Sequence, residues 1–164
     1  MRRKRESERL ITQIQKIIHE KICDPQLNVS YLAKTLCVST QHVYQLVYSY
    51  YLENPKKIIE SYRLARAIDL MGQNPAINLC LVASQSGFIN YNTFHRCFKR
   101  RLQLSPSNYI ALPTQYRPSI ELNLSRPQVI SIGPAKPDSR VLRDYLQDTK
   151  RPQSLITKEL QETG

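Results

Sequence analysis

The stretch Ser86–Arg101, SGFINYNTFHRCFKRR, decides the reading of this chain. Phe94, Cys97, Phe98 and Leu102 recur at i, i+3, i+4 and i+8, the spacing of one face of an α-helix. Asn92, His95, Arg96 and Lys99 recur at i, i+3, i+4 and i+7, which is the opposite face. Asn90 stands at the predicted start, where its side-chain oxygen can accept a free backbone N–H of the first turn. The segment therefore predicts an amphipathic helix with an apolar face inward and a polar, basic face outward. In isolation such a polar face needs no partner but water.

The same pattern occurs earlier in the chain. Ser39–Ile58, STQHVYQLVYSYYLENPKKI, aligns with Asn90–Tyr109, NYNTFHRCFKRRLQLSPSNY, at an offset of 51. Ser39 matches Asn90 as a cap, Val43, Leu46 and Val47 match Phe94, Cys97 and Phe98, and Pro55 matches Pro106. Gln41, Tyr44, Gln45 and Tyr48 stand where Asn92, His95, Arg96 and Lys99 stand. Upstream, LAKTLCVS (Leu32–Ser39) resembles VASQSGFIN (Val82–Asn90), with the second copy one residue longer. Each unit reads as a short apolar helix, a tight turn, a capped second helix, then proline. That is the layout of a helix-turn-helix, whose second helix enters the DNA major groove. Gly87 supplies a positive φ at the second turn without steric cost, and Cys37 occupies that place in the first.

Between the units, Pro55–Pro75 has apolar positions on two faces: Ile58, Tyr62 and Ala65 on one, Ser61, Leu64, Ile68 and Met71 on the other. This predicts a helix clamped between two lobes. From Lys56 to Met71 it would be about 24 Å long, a rod that could hold two reading helices near one DNA turn apart, about 34 Å. Residues 8–22 predict an opening helix with Ile11, Ile14, Ile17, Ile18 and Ile22 inward, ended by Asp24-Pro25. The expected fold class is all-α.

The chain of 164 residues carries 24 Lys and Arg against 13 Asp and Glu, a net +11. Residues 1–112 hold 16 bases and 7 acids, net +9; residues 113–164 hold 8 and 6, net +2. The excess suits a polyanion without distinguishing DNA from RNA or a membrane surface. No run of 18 apolar residues exists, and the basic N-terminus lacks the apolar stretch of a secretory signal. The four cysteines, Cys23, Cys37, Cys80 and Cys97, are far apart, and they are expected to be reduced thiols, mostly in the core.

The combination of Leu32-Ala33, Ser39, Arg63-Leu64 with Ala67, Ala83, Gly87-Phe88, Phe94, Phe98-Lys99 and SPSNY (Ser105–Tyr109) resembles the DNA-binding region of the AraC/XylS transcriptional regulators. The resemblance covers roughly 10–112 and is stronger in the second unit. It implies two helix-turn-helix subdomains that read adjacent major-groove segments with helices near 40–51 and 91–102. It further implies a regulator, in activator style, of the bacterial cytoplasm and nucleoid. The implied partners are double-stranded DNA and RNA polymerase, with a monomer on DNA favoured over a dimer, and no membrane. With about nine residues before the first helix, a short stand-alone member or a DNA-binding half of a longer protein is expected. The family's usual glycine after each recognition helix is replaced by Leu52 and Gln103, so different helix ends are expected. The first unit has Val47-Tyr48 in place of Phe-Lys, and its outer face has no cation.

The candidate DNA-binding residues are Gln41, Tyr44, Gln45, Tyr48, Asn92, Thr93, His95, Arg96, Lys99 and Arg100. Arg96 can fork two hydrogen bonds to guanine O6 and N7, with a phosphate contact as the plain alternative. Asn92 and Gln45 can pair with adenine, or remain solvated amides. His95 can donate to a base or phosphate. Lys99, Arg100 and Arg101 suit phosphates, which fix register without reading sequence, although the two arginines would also favour a helix C-terminus. Tyr48, Tyr50 and Tyr51 form an aromatic patch open to three readings: core, phosphate contact or subunit interface.

No metalloprotease, Walker, nucleophile-elbow or paired-carboxylate pattern is present, so no catalytic residue, cofactor or metal is assigned and an enzyme is not expected. The competing reading is a helical protein-interaction adaptor related to regulators but with weakened DNA reading. Residues 1–9 are expected to be a basic flexible arm. Residues 113–164 hold six of the ten prolines and predict a mostly disordered tail, with a possible short helix at 139–148.

Overall fold

A computed structural model of the chain describes residues 2–118 and 120, with side chains from Arg5 onward. Every regular element among them is helical: α1 (Arg2–Lys21), α2 (Val29–Thr35), α3 (Thr40–Tyr51), α4 (Pro55–Gln73), α5 (Leu79–Gln85), α6 (Tyr91–Leu102), α7 (Pro106–Ala111) and a short 3-10 turn, Thr114–Tyr116. Each of α2 to α7 starts at an Asn or Ser whose side chain accepts a first-turn N–H: Asn28, Ser39, Asn54, Asn78, Asn90 and Ser105. Pro55 and Pro106 follow two of these caps in the first helical turn, where a missing N–H costs nothing.

Two cores form. The first gathers Ile11, Ile14 and Ile18 of α1, Leu32 and Ala33 of α2, Val43, Leu46, Val47 and Tyr51 of α3, and Ile58 and Ile59 of α4. The second begins five residues further on, with Leu64, Ala67 and Met71 of α4 packed against Val82, Ala83, Phe88, Phe94, Cys97, Phe98, Leu102 and Tyr109. The expected clamp is therefore present. The N-terminal half of α4 belongs to the first lobe and its C-terminal half to the second.

The turn inside each unit is the same Schellman closure. In the first, Val38 N–H donates to Ala33 O (3.0 Å) and Cys37 N–H to Lys34 O (3.3 Å). In the second, Phe88 N–H donates to Ala83 O (3.0 Å) and Gly87 N–H to Ser84 O (3.1 Å). Cys37 (φ 54°) and Gly87 (φ 81°) occupy the left-handed position.

Several expectations are corrected. Leu52 (φ 54°) and Gln103 (φ 59°) do adopt the left-handed conformation, so α3 and α6 end as a glycine-capped helix would, at a cost of about 1–2 kcal/mol each. Cys23, Cys37 and Cys80 are exposed and only Cys97 is buried, because three of the four fall in turns or on a solvent face. Ile17 and Ile22 are half-buried at the edge of the first core rather than inside it. The helix begins at Arg2, so the basic run expected as an arm has helical backbone. Past residue 112, Arg117 donates to Leu112 O (2.8 Å) and Ile110 O (2.7 Å), closing the end of α7, and most of the expected tail lies outside the described residues. The segment proposed as a helix at 139–148 lies outside the described residues.

Candidate nucleic-acid interface

The candidate surface lies on α6. Asn90 Oδ1 accepts both the N–H and the hydroxyl of Thr93 (2.9 Å each), fixing the helix start. Phe94 and Phe98 are fully buried and continue a line of ring contacts: Phe88–Phe94 at 5.4 Å, Phe94–Phe98 at 5.5 Å and Phe98–Tyr109 at 5.3 Å between centroids. With that face locked inward, Asn92, Arg96 and Lys99 are exposed together on the other side. The ion pairs among the described residues use neither Arg96 nor Lys99, and α6 carries no acidic residue. The resulting surface is cationic, and a guanidinium is a group suited to bidentate bonding.

Other candidate residues have partners inside the molecule. His95 is half-buried, its ring 5.8 Å from that of Tyr91. Thr93 is half-buried and its hydroxyl serves the cap. Arg100 donates to Glu60 at 2.7 Å and approaches Cys97 Sγ at 3.7 Å, while Glu60 raises the guanidinium pKa by its charge. Arg100 is thus an intramolecular tether as well as a basic side chain, which the sequence pattern did not indicate. Arg101 donates to Ser61 Oγ at 2.6 Å. Burial pushes the Cys97 thiol up to about 12, so it is an inert core group.

On α3, Gln41, Gln45 and Tyr48 are exposed, Tyr48 at 62 %, whereas Tyr44 packs half-buried against the first core. The structure separates the three tyrosines. Tyr51 is core, accepting a 2.7 Å hydrogen bond from Gln15 Nε2; Tyr50 meets Tyr51 edge-on at 4.9 Å; Tyr48 faces solvent. Tyr44, Gln45 and Tyr48 edge an open cleft whose other wall includes Glu53 and Lys57. The cation of that cleft is paired: Lys57 Nζ lies 3.2 Å from Glu53. The α3 face therefore offers amides and a phenol with no free positive charge of its own.

The sequence reading named Arg63 only as part of the resemblance and gave it no bonding role. Arg63 reaches from α4 into the first lobe and donates to Asp24 O (2.9 Å) and Leu27 O (3.0 Å), and burial lowers its pKa. A Cβ at Gly87 would overlap the Ile22 carbonyl oxygen and press on Arg63 Nε, so the second unit's turn abuts the first lobe. An arginine flanked by Tyr62 and Leu64 in a two-faced helix was the available signal for a guanidinium that bonds backbone carbonyls. Among the described residues no group of His, Cys, Asp and Glu could hold a metal ion, and no helix is long and apolar enough to cross a membrane.

Comparison with known proteins agrees with this architecture. Residues 32–111 match the family described as "Helix-turn-helix domain". The chain is 28 % identical over 102 residues to "Histidine kinase P4" of Formosa agariphila, a match covering 62 % of this chain and only 7 % of that protein. Among solved structures it is similar to the C-terminal domain of the two-component response regulator yesN from Fusobacterium nucleatum (TM-score 0.57, 25 % identity, 60 % of this chain and 95 % of that one). It shares its fold with the C-terminal domain of AraT, a response regulator from Geobacillus stearothermophilus (TM-score 0.59, 17 % identity, 62 % and 83 % covered). The same holds for a Listeria innocua protein of unknown function (TM-score 0.57, 22 % identity, 61 % and 93 % covered). With two units of this geometry joined by α4, and with residues 32–111 matched, the chain carries an AraC-type helix-turn-helix domain, a DNA-binding domain of transcriptional regulators.

Proposed function

We propose that the chain binds double-stranded DNA sequence-specifically as a transcriptional regulator, with α6 as its principal reading helix. The observation that carries this is the shared exposure of Asn92, Arg96 and Lys99 on a helix without acids, opposite a buried aromatic face. In this reading Arg96 forks to a guanine and Asn92 pairs with an adenine. Lys99 binds a phosphate, with Arg100 contributing charge at the same end. Gln41, Gln45 and Tyr48 on α3 face the neighbouring groove segment and add shape and amide contacts. Tyr44, Thr93 and His95 support these surfaces from half-buried positions. Two reading helices in one chain make a monomer on DNA sufficient. The family reading adds RNA polymerase as a partner and the bacterial cytoplasm, at the nucleoid, as the place of action.

The test is selection of a binding site from a randomised duplex pool, followed by affinity measurement across salt. If about five phosphates are neutralised, log K falls against log[salt] with a slope near −4 to −5. Enrichment of one site together with that slope supports the reading. No binding at low salt, or affinity flat across salt, overturns it. The cation-free face of α3 favours a second reading, a helical adaptor with weakened DNA contact. For an adaptor, no site would be enriched from the same pool.

A further inference from the structure

The two lobes are tied by polar groups that cross from one to the other. In α4, Ile58 and Ile59 are buried in the first core and Tyr62 packs against it, whereas the second core begins at Leu64. Glu60 and Ser61 therefore lie in the half of α4 that the first lobe holds. Arg100 and Arg101 are in the last turn of α6, in the second lobe. Arg100 Nη2 lies 2.7 Å from Glu60 Oε2, and Arg101 Nη2 lies 2.6 Å from Ser61 Oγ. Ser61 is fully buried and its hydroxyl also donates to Lys57 O at 2.8 Å, so the Arg101 bond rests on a fixed acceptor.

We propose that Glu60 and Ser61 are positioning residues that set the spacing between the two DNA segments the chain reads, by fastening the end of α6 to the first lobe. The proposal rests on the DNA-reading function proposed above. Glu60 and Ser61 belong to neither recognition helix, so they touch no DNA in that reading. The aromatic contacts hold the buried face of α6 but act within the second lobe. They do not reach the first lobe, which the second lobe otherwise meets through the continuous α4 and at the Gly87 turn, which precedes α6 in sequence whereas the arginines lie in its last turn. The two arginine bonds act across the boundary, at the end of α6 that also carries Lys99. An ion pair with side chains 60 % and 32 % exposed adds little to folding stability. Its effect is on orientation: one added base pair moves the second segment by about 3.4 Å and turns it by about 35°, which a fixed pair of helices cannot follow.

The experiment uses the full chain with Cys23→Ser, compared with the same chain carrying Glu60→Ala and Ser61→Ala. Ser61→Ala removes one oxygen and leaves the backbone helix intact, and circular dichroism checks that both proteins are folded. Spin labels go on Cys37 and Cys80, which are exposed in the first and second lobes, while Cys97 is buried. The parent should give a narrow distance distribution and the double variant a broader one, without DNA present. On the selected site, inserting one base pair between the two segments should weaken the parent about tenfold or more and the double variant less than about threefold. Glu60→Gln keeps an oxygen acceptor and should restore part of the parent's spacing preference. Equal distance distributions, or an unchanged spacing preference, overturn the proposal. So does a uniform gain in affinity on every duplex, which would mean that Glu60 merely masks a phosphate contact of Arg100. Failure of the parent to bind any duplex overturns the DNA reading itself, and the spacing proposal with it, whatever the labels show.

Discussion

The two units share a backbone and differ in chemistry on both faces of their second helices. In the first unit Val43, Leu46 and Val47 fill an aliphatic core; in the second Phe94, Cys97 and Phe98 join a line of aromatic rings. The first shows Gln41, Gln45 and Tyr48 to solvent, and the lysine of its neighbouring cleft is paired with Glu53. The second shows Asn92, Arg96 and Lys99, with Arg96 and Lys99 outside every ion pair described. The turns differ as well. Cys37 holds the left-handed position with its side chain in solvent, where φ alone is the cost. Gly87 holds it against the Ile22 carbonyl, where a side chain would meet backbone. One fold thus serves two lobes whose electrostatics and packing constraints are distinct.

The largest expected effect tests the cores. Phe98→Ala should destabilise the protein by about 3–5 kcal/mol, and its counterpart Val47→Ala by roughly 2 kcal/mol, because fewer buried atoms are removed. Chemical denaturation of both variants measures the difference. An unchanged midpoint for Phe98→Ala would contradict the inward facing of α6.

The turns come next. Gly87→Ala combines strain at positive φ with overlap on the first lobe and should cost about 2–4 kcal/mol. Cys37→Ala, already in the left-handed region and exposed, should stay within about 0.5 kcal/mol. Equal costs in a thermal melt would erase the distinction between the turns.

DNA binding gives the third comparison. Arg96→Ala should weaken the selected site by about 1–3 kcal/mol and relax preference at one or two positions. Gln45→Ala, at the matching position of α3, should cost less. Lys99→Ala should weaken all sequences alike and lower the salt slope by about one. If Arg96→Ala weakens specific and scrambled duplexes equally, Arg96 is a phosphate clamp, and the reading role passes to Asn92 or to α3.

The smallest effect concerns the helix ends. Leu52 is 64 % exposed at φ 54°, so Leu52→Gly should stabilise by up to about 1 kcal/mol, relief of strain outweighing the added freedom of the unfolded chain. Gln103→Gly should gain less, since Gln103 Nε2 donates to Arg100 O at 2.9 Å and that bond is lost. Melting curves that reverse this order would show that Leu52 makes contacts its exposure conceals.

Much of this was legible in the residues. The duplicated spacing of apolar positions gave both units, the caps Ser39 and Asn90 gave the starts of α3 and α6, and the two-striped segment gave α4. Periodicity reports which face of a helix turns inward, because burial of a continuous apolar face dominates local folding. The same pattern separated Asn92, Arg96 and Lys99 from Phe94 and Phe98.

Pairwise chemistry between distant residues was not legible. Nothing in the local sequence says that Arg100 meets Glu60, that Arg101 meets Ser61, or that Arg63 meets the carbonyls of Asp24 and Leu27. A Ser61 lying in an apolar stripe and an Arg63 beside Leu64 were the only hints. Helix ends were misjudged at Leu52 and Gln103 because propensity disfavours the left-handed region only by about 1–2 kcal/mol, which the packing of a whole lobe overrides. The sequence by itself determined the helices, their caps, their inward faces and the cationic face of α6, since these depend on neighbours within a few residues. Only the tertiary structure decided which cations of the described residues are paired, which turn must be glycine, and how the lobes are tied. The cross-lobe hydrogen bonds join groups 36 to 41 residues apart in the sequence, and the glycine requirement arises where Gly87 meets the Ile22 carbonyl, which no local pattern reports.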